Sequence, residues 1–144
     1  MKVKDLYYHE LNAVREDASI ARVIKIMKFS RLSTVFVVSI QNEYLGAITV
    51  SSLTEHCLPN YMKSLQSTAF MPNVDSLLEN LKEKINLSAR DLVDSEYPAI
   101  DLDDSVSHAA DLMLRNNCDT LAVVHDGTIQ GKIGKIDILA CAVD

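Results

Sequence analysis

Apolar side chains at Ile20, Val23, Ile24 and Met27 follow the i, i+3, i+4, i+7 spacing of an amphipathic helix, and Val106, Ala109, Ala110 and Met113 repeat it later in the chain. After each helical stripe comes a mostly β-branched run, 34–38 and 120–124, too short for a helix and suited to a buried strand. Polar turns follow at Gln41-Asn42-Glu43 and at Asp126-Gly127, the second a strong hairpin signal. The return strands are expected over 44–49 and 128–134, with closing helices beginning near Ser51 and near Ile136. Short extended pieces around Ala13-Val14 and Ala99-Ile100 lead into the first helix of each set, with Asp17 or Asp103 as its cap and Ser19 and Ser105 as competing caps. The order is β-α-β-β-α, twice.

Sliding the chain against itself shows that this order is a repeat. Moving Asp5-Leu6 onto Asp91-Leu92, a shift of 86 residues, also puts Ala13 on Ala99, Ser19 on Ser105, Met27 on Met113, Thr34 on Thr120 and Val37-Val38 on Val123-Val124. One deletion later, Gly46 falls on Gly131 and Ile48 on Ile133. The expected organisation is a first unit over residues 1–53, a helical insert over 54–88 and a second unit over 89–144. In the insert, Pro59 and Pro72 punctuate the chain, and Val74, Leu77, Leu78, Leu81 and Ile85 form a helical stripe that reads as packing material.

Composition narrows the class. The chain has 144 residues, 48% of them hydrophobic, enough for one ordinary domain or two small ones sharing a core. A net charge of −6 repels phosphate backbones overall, which argues against general nucleic-acid binding. Cys57, Cys118 and Cys141 are far apart and have no second thiol or histidine at a metal-ligand spacing, so they read as reduced packing residues. Without a signal-like opening or an apolar stretch of membrane-spanning length, the expectation is a cytoplasmic protein off the membrane. The four histidines are scattered over different elements and no glycine-rich phosphate loop occurs, so an enzyme is not expected and no metal site is assigned.

The doubled unit resembles the CBS domain pair, or Bateman module. The matching words are a helix ending in Met27 or Met113, paired valines at 37–38 and 123–124, and an ending of the type Gly, apolar, any, Thr or Ser, any, any, Asp. That ending reads Gly46-Ala47-Ile48-Thr49-Val50-Ser51-Ser52 in the first copy and Gly131-Lys132-Ile133-Gly134-Lys135-Ile136-Asp137 in the second. The resemblance implies an α+β fold (α/β-like) of two units related by a pseudo-twofold axis and packed through their sheets. It also implies clefts for adenosine ligands such as AMP, ADP, ATP or S-adenosylmethionine, a sensing role with no required cofactor, a homodimer, and a regulated protein partner. The alternative is a degenerate pair that serves only as a dimerisation or docking scaffold.

The ending has a physical logic. One carboxylate can accept from both ribose hydroxyls, each such bond worth about 1.5 to 3 kcal/mol, while a hydroxyl and free N–H groups at a helix start suit a phosphate. The first copy keeps Thr49 but has Ser52 in place of the carboxylate, whereas the second keeps Asp137 but has Gly134 in place of the hydroxyl. The Asp137 cleft is therefore the better candidate, with Lys135 or Lys132 replacing the missing hydroxyl at a phosphate. Asp137 is equally an ordinary first-turn acid favoured by the helix dipole, and Thr49 an ordinary strand residue. Through the resemblance, Ala13, Val14, Ala99 and Ile100 fall where adenine is held. The resemblance also implies ligand contacts from Thr34 and Thr120, which with Arg31 lie at or just before the second strands where the family places polar groups; Asp119 would oppose a phosphate, and Phe36 either narrows a cleft or faces the core.

Overall fold

The computed structural model describes residues 1–9, 13–56 and 74–143, so Cys57, Pro59 and Pro72 lie outside the described residues. The first copy forms β1 (Ala13–Arg15), α1 (Ile20–Ser30), β2 (Thr34–Val38), β3 (Tyr44–Thr49) and α2 (Val50–His56). The insert contributes α3 (Val74–Lys84). A short α4 (Ala89–Leu92) opens the second copy, followed by β4 (Ala99–Asp101), α5 (Val106–Arg115), β5 (Thr120–His125), β6 (Thr128–Gly134) and α6 (Lys135–Ala140). Between the competing caps, the serines take the role: Ser19 accepts the Arg22 N–H at 3.2 Å and Ser105 accepts the His108 N–H at 3.0 Å. No helix among the described residues is long and apolar enough to cross a membrane.

Each copy builds a three-stranded sheet, β1-β2-β3 and β4-β5-β6, with the first pair parallel and the second antiparallel. Thr34 pairs with Thr49 and Thr120 with Gly134, and a register shift interrupts both hairpins within the paired valines. The central strands are apolar on both faces because both faces are covered. Val35 and Val37 of β2 point into a core with α1, and Leu121 and Val123 of β5 into a core with α5. The opposite faces meet in a third cluster, where Phe36, Val38 and Ala47 pack against Ala122 and Ile129. Phe36 and Ala122 are counterparts under the repeat, as are Ala13 and Ala99 beside them, so the pseudo-twofold axis passes through this layer.

The opening segments cross over. Val3, fully buried in a 3-10 turn (Val3–Asp5), and Leu6 belong to the core of the second copy, while Ala89 and Leu92 belong to the core of the first. Backbone bonds fix both exchanges: Val3 N–H to Asp104 O at 2.8 Å on one side, Ala89 N–H to Ala18 O at 2.7 Å on the other. The matched acids have one local task, since Asp5 accepts the Lys2 N–H at 3.0 Å and Asp91 accepts the Ser88 N–H at 2.9 Å, closing the first turn of each segment.

Further on, each opening segment bridges to the other copy's last strand, Tyr8 to Lys132 and Asp94 to Ala47. The matched glycines make this approach feasible, because a methyl on Gly131 would overlap the Tyr8 carbonyl and one on Gly46 the Asp94 carbonyl.

Candidate ligand cleft

A cleft of about 330 Å³ opens where the first copy's opening segment and the start of its β2 face the second copy's closing strand and helix. Four elements position its chemistry. Arg31 caps the C-terminus of α1 in the left-handed conformation (φ 55°), which turns the chain toward Thr34 at the head of β2. Asp119 and Thr120 enter β5 opposite it, and Lys132 reaches in from β6 beside Tyr8. Gly134 and Asp137 close the floor at the start of α6.

Of the residues assigned from sequence, Asp137, Gly134, Thr120 and Thr34 line this cleft together. Lys135 does not: its ammonium lies 3.3 Å from Asp119 Oδ1 and its N–H bonds the Asp119 carbonyl, so the lysine neutralises the acid at the rim. Lys132, the other lysine considered, lines the wall, and so does Arg31. Phe36 lines the cleft and is only 2% exposed in the inter-sheet layer.

Thr49, Ser52, Ala13, Val14, Ala99 and Ile100 are not among the described lining residues. Val14 and Ile100 are buried in the two helix-side cores, and Ala13 and Ala99 support the layer between the sheets. Thr49 and Ser52 bond each other at the start of α2, Ser52 N–H to Thr49 Oγ1 at 3.0 Å and Thr49 N–H to Ser52 Oγ at 3.2 Å. Sequence reasoning missed Tyr8, whose signal was the Gly131 match, and the grouping of half-buried Asp101 with exposed Asp103 and His125, whose potential ligand atoms lie within 4.8 Å of one another. That grouping forms only when β4 and β5 pair, and Lys4 already sits 3.5 Å from Asp103.

Asp137 caps and lines at once. Its Oδ2 accepts the Gly134 N–H at 2.7 Å. A methyl on Gly134 would lie 3.2 Å from the Asp119 carbonyl, so the family's hydroxyl-bearing residue would crowd that wall. The lining carries two cations, Arg31 and Lys132, and two carboxylates, Asp119 and Asp137, one of which has its own lysine.

The CBS domain family model matches the chain twice, over residues 3–58 and 89–144. The chain belongs to the CBS-domain family. Among solved CBS pairs, a CBS domain-containing protein of unknown function from Kribbella flavida is 22% identical, with 100% of this chain and 99% of that chain covered and a TM-score of 0.75. The CBS domain of a CBS domain-containing membrane protein from Sphaerobacter thermophilus is 23% identical over 97% of this chain and 86% of its own, with a TM-score of 0.70. CBSX2, solved in complex with AMP, is 16% identical over 99% of this chain and 96% of its own, with a TM-score of 0.72. No curated protein matches the chain in sequence.

Proposed function

We propose that this CBS pair is a non-catalytic cytoplasmic sensor that holds an adenine nucleotide, or a related adenosyl metabolite, in the Asp137 cleft and passes its occupancy to a partner protein or to its own dimer. The observation that carries this is that Arg31, Lys132 and the Asp137 carboxylate at a helix start line one small cleft. Cations in the lining suit a phosphate, and the free oxygen of a capping carboxylate suits a ribose diol. A volume of about 330 Å³ lies at the small end of ligand pockets, the scale of one mononucleotide. That CBSX2 takes AMP in the same fold supports the ligand class. Occupancy would act by favouring one arrangement of the two units over another.

The homodimer reading is supported by exposed apolar side chains on the outer helices: Phe29 of α1 is 80% exposed, Leu114 of α5 71% and Leu139 of α6 66%. If dimerisation were the whole function, light scattering would give a dimer indifferent to nucleotides. The deciding experiment is a thermal-shift and calorimetric titration with AMP, ADP, ATP and S-adenosylmethionine. At a hundredfold excess over Kd, binding adds about 2.7 kcal/mol of stability. Saturable binding lost in Lys132→Ala supports the reading. No response to any of the four at millimolar concentration defeats it.

A further inference from the structure

The pseudo-twofold axis gives the open cleft a mirror position, and Tyr97 stands in it. Under the repeat, Leu32 and Thr34 of the open cleft correspond to Cys118 and Thr120, and its Thr120 corresponds to Thr34. These counterparts surround the Tyr97 hydroxyl: it donates to the Thr120 carbonyl at 2.7 Å, with the Thr34 hydroxyl and the Cys118 thiol beside it. Phe36 has Ala122 as its counterpart, so the mirror wall is short by a ring, and the Tyr97 ring packs into the same inter-sheet layer. It meets the edge of Phe36 at 6.2 Å between centroids. Its carbonyl accepts the Tyr44 hydroxyl at 3.0 Å, and its N–H reaches the Asp94 carbonyl at 3.3 Å, so the backbone is held as firmly as the ring. The ending of the first copy agrees with a cleft given up as a ligand site, because Thr49 and Ser52 spend their hydroxyls on each other.

We propose that Tyr97 is the resident occupant of the mirror cleft, a side chain standing where a ligand would lie, so that the pair takes one small aromatic-bearing ligand per chain and not two. The stoichiometry rests on the function proposed above; the occupancy of the cleft by the ring does not, and the two are tested separately.

For the ring, Tyr97→Ala is prepared and melted with and without p-cresol, the detached side chain. Truncating a half-buried aromatic lowers the melting temperature by roughly 10 °C, and the cavity so made, apolar along the ring and polar at the hydroxyl end, is shaped for a small phenol. The expected result is that millimolar p-cresol raises the melting temperature of the variant by several degrees and leaves the wild type unchanged. A folded variant indifferent to p-cresol overturns the proposal. Should the alanine variant not fold, Tyr97→Val with phenol as probe is read in the same way.

For the stoichiometry, AMP is titrated into wild type calorimetrically. One site per chain, abolished by Lys132→Ala, and a second site in Tyr97→Ala combined with Ser52→Asp, agree with the proposal. Two sites in wild type overturn it. No binding of AMP to wild type counts against the proposed function alone, and the p-cresol result then decides the role of Tyr97.

Discussion

The Asp137 carboxylate accepts the N–H of Gly134 at 2.7 Å, and one repeat earlier the Ser52 hydroxyl accepts the N–H of Thr49 at 3.2 Å. Carboxylate and hydroxyl thus close the same helix turn, and only the carboxylate has charge and an oxygen to spare. This separates capping from ligand binding. Asp137→Ala removes both, costing about 1 kcal/mol of stability through the lost cap. Asp137→Ser keeps the cap as the first copy builds it, so stability is expected within about 0.5 kcal/mol of wild type while AMP affinity falls tenfold or more. Denaturant melts beside calorimetry check both, and an unchanged affinity in the serine variant would remove Asp137 from the site.

Asp119 stands at the rim with 87% of its side chain exposed and its charge shared with Lys135. Asp119→Asn therefore removes the acid that opposes an entering phosphate and frees the lysine. Affinity for AMP is expected to rise several-fold at low salt, with the gain shrinking as salt rises, because the interaction is solvent-screened. Titrations at about 50 and 500 mM salt test it. Equal affinities in variant and wild type at low salt would show that Asp119 lies outside the reach of the ligand.

Gly46→Ala and Gly131→Ala are expected to cost about 2 kcal/mol or more each, since the added methyl meets a backbone carbonyl that the bridging opening segment holds in place. Gly46 also sits at φ 141°, which an alanine rarely adopts. Urea melts of the two variants provide the test. A loss below about 0.5 kcal/mol would mean that the opening segment moves aside.

The repeat and nearly every element boundary were legible in the sequence because they rest on local periodicity: the stripe from Ile20 to Met27, the runs at Thr34 and Thr120, and the Asp126-Gly127 turn, where both residues have positive φ. Asp137 and Gly134 were read together from the ending motif, Thr34 and Thr120 from their matched places at the second strands, and all four line the one cleft. What escaped depends on partners far along the chain. That Lys135 turns to Asp119 follows from the pairing of β5 with β6, whereas the place of Val3 in the core of the second copy and of Tyr97 in the mirror position follow from the axis, and no local pattern encodes which surface an axis brings near.

The crossover itself can be tested at Val3, which is fully buried among residues of the second copy such as Met113 and Val123. Val3→Ala is expected to cost about 2 kcal/mol, from lost methyl burial and the cavity left behind. Hydrogen exchange should show the loss of protection concentrated in α5 and β5, although the substituted residue belongs to the first copy in sequence. Protection lost instead in α1 and β2 would contradict the exchange of opening segments.

Alkaline pH probes the layer between the sheets. Burial pushes the phenols of Tyr44 and Tyr97 well above the ordinary value of 10, with each helped by neighbouring groups, Tyr97 beside the first and Cys118 beside the second. Burial also pushes the Cys118 thiol above its ordinary value of 9. In the folded chain these groups keep protons that the unfolded chain releases as pH passes 9 to 10, so above that range the unfolded state binds fewer protons and stability falls as pH rises. Below about pH 8 the contribution is flat, and above about pH 10 each group steepens the decline by up to about 1.4 kcal/mol per pH unit. Tyr44→Phe keeps the ring against Phe36 but loses the bond to the Tyr97 carbonyl, at about 1 kcal/mol near neutrality. Its stability should then decline less steeply than wild type between about pH 9.5 and 11, so the two curves converge. Urea melts across that range measure both slopes, and curves that stay parallel would show that Tyr44 titrates alike in the folded and unfolded chains.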